Sequence, residues 1–113
     1  MKITIEAVDL DLSPADREWI AAKFKTLEKF LKRFEGEGEM TIAVEVVRTT
    51  RHHLKGDVFE VVAGVRLPKK SVRVGESADD IRSAVDKSKD VLRAEIEKYK
   101  EKTILANKRV SQK

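Results

Sequence analysis

Along this 113-residue chain the spacing of apolar residues switches from two to about 3.6, returns to two for three successive segments, and ends at 3.6. That order leaves few ways to close a core. Residues 2–8 alternate, with Ile3, Ile5 and Ala7 opposed to Lys2, Thr4 and Glu6, as in a half-buried strand. A helix follows: Ser13 is its candidate cap, Pro14 fits its first position, and Asp16 sets an acid in the first turn. Ile20, Phe24, Leu27, Leu31 and Phe34 recur three and four apart, which predicts one apolar stripe ended by Gly36 and Gly38.

The period of two returns at residues 40–50, where Ile42, Val44 and Val46 oppose Thr41, Ala43 and Glu45. The polar run Arg51-His52-His53-Leu54-Lys55-Gly56-Asp57 is expected to turn the chain into a third strand over 58–67. Pro68-Lys69-Lys70 breaks it, and residues 71–74 supply a short fourth strand. Ser77, with Asp80 three residues on, is the candidate cap of a second helix. Ile81, Val85, Ser88, Leu92, Ile96 and Tyr99 turn inward along it, and it is expected to end at about Lys102.

The order β-α-β-β-β-α predicts an α+β fold, a two-layer sandwich of a four-stranded sheet with two helices on one face. The helical crossover makes the first two strands parallel, and short turns make the last three an antiparallel meander. The length suits one domain of roughly 100–150 residues. The expected division is a domain over 1–102 and a short, flexible basic tail over 103–113.

Charge is distributed as unevenly as the apolar residues. Residues 1–47 and 74–97 each carry −3, whereas 48–73 and 98–113 each carry +5, for a net +4. Concentrated positive charge attracts a polyanion and speeds its capture, so nucleic acid is the first partner to test. Lys25, Lys29 and Lys32 fall within about 60° on a continuous first helix, a row that can follow phosphates or simply remain solvated. Arg48, Arg51, His52, His53, Lys55, Lys69, Lys70 and Arg73 gather on or near two turns, opposed only by Asp57 and Glu60. Lys98, Lys100 and Lys102 add a basic patch at the end of the second helix. Trp19 and Phe30, beside the apolar stripe, are read as core or rim packing rather than stacking platforms.

Other chemistries find little support. There is no cysteine, and neither a phosphate-binding glycine loop nor a nucleophile pattern occurs. His52 and His53, with Asp57 and Glu60 beside them, invite a metal-assisted hydrolase. Adjacent residues of an extended segment point apart, however, so no metal, cofactor or catalytic residue is expected. The first residues lack a signal-like apolar run, and no stretch approaches a spanning helix, so a cytoplasmic location without a membrane or small-molecule partner is expected.

Three stretches resemble a known family. Arg51-His52-His53-Leu54-Lys55-Gly56-Asp57-Val58-Phe59 is similar to the HHKKG-type hairpin common in ribosome hibernation-promoting factors. Asp80-Ile81-Arg82-Ser83-Ala84-Val85-Asp86, with Glu97-Lys98-Tyr99-Lys100, resembles that family's D-(M/L)-Y-x-A-I-D helix and its basic end. Ser13-Pro14, Arg17, Lys23 and Leu27-Glu28-Lys29 resemble the first helix of the short ribosome-associated inhibitors.

The resemblance, over about residues 1–102, implies a domain similar to the double-stranded-RNA-binding fold. It implies a domain that lodges in the small ribosomal subunit, where mRNA and the A- and P-site tRNAs lie, and inhibits translation by occupancy; off the ribosome the chain is expected to be a monomer. The longer members' ribosome-pairing domain has no counterpart in these residues. Arg82 stands where the family commonly has Tyr, and Val91 and Ala94 stand where Lys and Arg are common, so Arg82, Lys87, Lys89 and Arg93 are expected to share that helix's contacts. Lys23 joins the first-helix set. The rival reading is a general double-stranded-RNA binder without ribosomal specificity.

Overall fold

The computed structural model describes residues 1–32, 34, 38–49 and 58–111, with side chains up to residue 102. The elements run β1 (Lys2–Val8), α1 (Pro14–Lys25), α2 (Glu28–Leu31), β2 (Thr41–Arg48), β3 (Phe59–Leu67), β4 (Lys70–Ala78) and α3 (Ile81–Ser111). The strands form one sheet in the order β1-β2-β3-β4, with β1 and β2 parallel and the other pairs antiparallel. The expected α+β order and topology are therefore present.

Alternation decides which face of the sheet is covered. Ile42, Val44 and Val46 of β2 and Val61, Ala63 and Val65 of β3 are buried, and they join Ile20, Phe24, Leu27, Leu31, Val85, Leu92 and Ile96 of the helical layer in one core. The intervening residues, among them Thr4, Glu6, Ala43, Glu45, Gly64 and Arg73, line the opposite, open face. On that face β3 runs so close to its neighbour that a Cβ at Gly64 would lie 3.2 Å from the Val72 carbonyl oxygen.

The first helical segment begins as its residues dictate. Ser13 Oγ accepts from the Asp16 amide at 3.0 Å and the Ser13 amide donates to Asp16 Oδ2 at 3.3 Å, a reciprocal cap that satisfies two end donors. Arg17 reaches back to the Ile5 carbonyl at 3.2 Å and ties α1 to β1. The expected single helix is divided, however. Thr26 Oγ1 donates to the Lys23 carbonyl at 2.6 Å, and the Leu27 and Phe30 amides bond three residues back, a tighter winding that separates α1 from α2. The apolar stripe survives because Leu27, Leu31 and Phe34 remain buried.

Two further boundaries differ from expectation. β4 does not stop at residue 74: Gly75, Glu76 and Ser77 pair with Val62, Val61 and Glu60, so ladder bonding carries the strand to Ala78 despite a polar sequence. Ser77 is thus a strand residue and not the cap. Asp80 caps α3, accepting from the Ser83 amide at 2.7 Å and the Ser83 hydroxyl at 2.9 Å. These bonds hold its carboxyl below the ordinary aspartate value, the backbone bond contributing most. At its other end α3 continues to Ser111 instead of stopping at about Lys102. The inward apolar pattern ends near Tyr99, but the residues beyond include good helix formers.

Ser88, the one polar step in the inward stripe of α3, is fully buried. Its hydroxyl donates to the Val85 carbonyl at 3.0 Å, which satisfies the group within its own helix.

Candidate nucleic-acid interface

The two basic turns of the 48–73 block lie at opposite ends of the sheet. Arg48 closes β2 beside Phe59, whereas Lys69 and Lys70 follow Leu67 at the far end of β3. Eight residue steps of about 3.3 Å separate those ends by about 26 Å. Arg51, His52, His53 and Lys55, together with Gly36 and the Gly56-Asp57 turn, lie outside the described residues. Arg73 stands on the open sheet face, away from both turns.

Each end gathers residues distant in sequence. At the far end the Tyr99 hydroxyl donates to the Pro68 carbonyl, and its ring meets Phe34 edge-on with centroids 5.5 Å apart. This brings the β3–β4 turn, with exposed Lys69 and Lys70, to the part of α3 that bears Lys98, Lys100 and Lys102, and brings the end of α2, with Lys32, alongside. At the near end Arg48 borders a depression shared with Phe59 and Ile81, and the next residue of α3, Arg82, borders one shared with Trp19 and Phe59.

Between the ends runs the seam where α3 meets α1 and α2. At 100° per residue, Arg82, Lys89, Arg93 and Lys100 fall within about 40° of one another, a line about 27 Å long. Lys87, Lys98 and Lys102 fall on roughly the opposite side of α3, so the terminal lysines divide between two faces. Lys87 donates to the Ser77 carbonyl at 3.1 Å, which ties α3 to β4. The row Lys25, Lys29 and Lys32 is likewise divided, because the Thr26 break intervenes.

Carboxylates compensate part of this charge. Lys23 pairs with Asp86 at 3.3 Å, Lys89 with Asp90 at 3.3 Å, Arg93 with Glu97 at 3.5 Å and Lys98 with Glu95 at 3.6 Å, all exposed or half-exposed pairs of small net value. Among the described residues no carboxylate pairs with Lys25, Lys29, Lys32, Arg48, Lys69, Lys70, Arg73, Arg82, Lys100 or Lys102.

Aromatic rings hold several of the seam cations. Lys23 Nζ lies 5.2 Å and the Arg82 guanidinium 4.9 Å from the Trp19 ring centre, and Lys29 and Arg93 stand at 5.2 and 4.9 Å from Phe30. Both rings are half-buried, as rim packing requires, but the sequence reading missed their hold on cations. The i,i+4 spacing of Trp19 and Lys23 was a usable signal; the α3 partners are visible only in the fold.

The depressions that border this surface among the described residues are open to solvent. The depression on the open sheet face, about 270 Å³, mixes Glu6 and Glu45 with Arg73 over small Ala43 and Gly64. Among the described residues no group of His, Asp and Glu is placed to hold a metal ion, and no helix is long and apolar enough to cross a membrane.

The family model described as Sigma 54 modulation protein / S30EA ribosomal protein matches residues 3–104. The chain belongs to this family. Its fold is similar to the Protein Y N-terminal domain of Thermus thermophilus, with 24% identity and a TM-score of 0.67 over 88% of this chain and 99% of that one. It is also similar to a ribosomal subunit interface protein from Coxiella burnetii, with 25% identity and a TM-score of 0.71 over 88% and 98% of the two chains. Comparison with curated proteins returns no match. The S30EA family is one of non-catalytic, ribosome-associated proteins of the hibernation type, and this chain shares that class of function.

Proposed function

We propose that this S30EA-family chain binds the rRNA of the small ribosomal subunit in the channel used by mRNA and by the A- and P-site tRNAs, and silences the ribosome by occupying it. The chain acts in the cytoplasm as a monomer off the ribosome, through a domain with the double-stranded-RNA-binding type of architecture. The observation that carries this reading is the charge layout: among the described residues, cations that pair with no carboxylate stand at both ends of the two-layer body, about 26 Å apart along β3, joined by a line along the α3 seam. A surface of that kind suits a cleft walled by folded RNA, because phosphates can be met on more than one side.

The contacts are assigned to Lys23, Lys25, Lys29 and Lys32; to Arg48, Arg51, His52, His53 and Lys55; to Lys69, Lys70 and Arg73; and to Arg82, Lys87, Lys89, Arg93, Lys98, Lys100 and Lys102. Co-sedimentation with purified small subunits tests the proposal. Binding should fall when tRNA fills the A and P sites, and an unrelated RNA duplex should compete poorly. Simultaneous, independent binding of chain and tRNA would overturn the channel assignment. Equal competition by the duplex would leave a general RNA-binding module.

A further inference from the structure

We infer that Trp19 and Phe30 are positioning residues of the RNA interface, each holding one cation of the first helical segment and one arginine of α3 on the seam without neutralising either. This rests on the RNA-binding reading and adds to it how the seam cations are ordered. A carboxylate partner orders a Lys or Arg but cancels its charge. A ring also attracts the cation, through its quadrupole at up to about 6 Å, and leaves the full charge available.

The four distances, 4.9 to 5.2 Å, all fall inside that range. Bringing two cations to one ring also sets like charges near each other, which opposes folding unless an anion later sits between them. Asp86 pairs with Lys23 and Glu97 with Arg93; Asp16 and Asp80 border the depression that Trp19 and Arg82 share, but among the described residues no carboxylate pairs with Arg82 or Lys29. Each ring therefore has one partly compensated cation and one open to a phosphate.

The arrangement also gives Arg82 a fixed place on the seam. Held at 4.9 Å from Trp19, it heads the line through Lys89 and Arg93 to Lys100, so the seam starts with a fixed guanidinium. Arg offers a planar, bidentate fork to phosphate, and a guanidinium already placed on a ring loses less side-chain freedom on binding.

A double-mutant cycle tests this on the full chain, with affinity for purified small subunits measured at one fixed salt concentration. Trp19→Leu and Arg82→Gln should each weaken binding by about 2- to 10-fold, within the range that cation–π contacts span. Together they should weaken it by clearly less than the product of the two single effects, the share of Trp19→Leu that remains in the Arg82→Gln background being that of Lys23. Trp19→Phe keeps a ring and should recover most of the affinity. The pair Phe30→Leu and Arg93→Gln should behave in the same way. Multiplicative effects, or no recovery with Trp19→Phe at unchanged thermal stability, would overturn the positioning role while leaving RNA binding intact. Failure of the unmodified chain to bind small subunits would overturn the RNA reading and this inference with it.

Discussion

The Tyr99 hydroxyl donates to the Pro68 carbonyl, and this one bond joins the basic turn after β3 to the basic stretch of α3, 31 residues away in sequence. The Tyr99 ring extends the link to Phe34, at the end of the first helical segment. Three parts of the chain that carry lysines are thereby held at one end of the molecule. Without the link, Lys69 and Lys100 would answer to separate elements.

Removing that hydroxyl should therefore loosen the end without unfolding the body. Tyr99→Phe keeps the edge-on contact with Phe34 but leaves the Pro68 carbonyl without its side-chain donor, which should lower stability by about 0.5–1.5 kcal/mol in urea unfolding. Hydrogen exchange should accelerate around the β3–β4 turn and leave the central strands unchanged.

Lys69 reaches its place by a strained route. Its φ of 67° puts a side chain in the left-handed region between Pro68 and the start of β4. That conformation costs about 1–2 kcal/mol in a non-glycine residue, whereas glycine brings an entropy penalty of about 0.5–1 kcal/mol. Lys69→Gly should thus stabilise the fold by a few tenths to about 1 kcal/mol. The same change should weaken small-subunit binding, because a charge at the tip is lost. A higher unfolding midpoint together with lower affinity is the expected pair of readings.

How much was legible in the sequence depended on how local the deciding interaction was. Ser13 caps a helix within three residues of itself, and the alternation of Ile42, Val44 and Val46 is visible without any partner, so both are legible in the sequence. The end of β4 was not, because Gly75, Glu76 and Ser77 lack an apolar rhythm and are held by pairing with β3. Thr26 divides the helix beneath a continuous apolar stripe through its own hydroxyl, a choice that periodicity does not reveal. The Trp19–Arg82 and Tyr99–Pro68 contacts join residues far apart in the chain, so the seam and the far-end cluster emerge only once the layers pack.

Asp80 should give the start of α3 a pH dependence. Its folded carboxyl titrates below the ordinary aspartate value, so its ionised form supports the folded state above the unfolded titration point. That support should fade as pH falls from about 4 toward the lower folded value. Asp80→Asn retains a capping side chain but cannot ionise. The variant's urea midpoint should therefore fall less steeply on acidification than that of the parent chain.

Salt dependence offers the last and broadest test, since each phosphate neutralised contributes about 0.7–0.9 to the magnitude of the slope of log affinity against log salt. Replacing Lys98, Lys100 and Lys102 together by Ala should flatten the slope for small-subunit binding by about 2–3 if all three meet phosphates. Lys100 follows the seam line of Arg82, Lys89 and Arg93, whereas Lys98 and Lys102 face roughly the other way, and Lys98 has Glu95 at 3.6 Å. The single change Lys100→Ala should accordingly remove its own share of about 0.7–0.9 with the other two lysines intact. An unchanged slope in the triple variant would take this end of α3 out of the interface and leave binding to the near end and the upper seam.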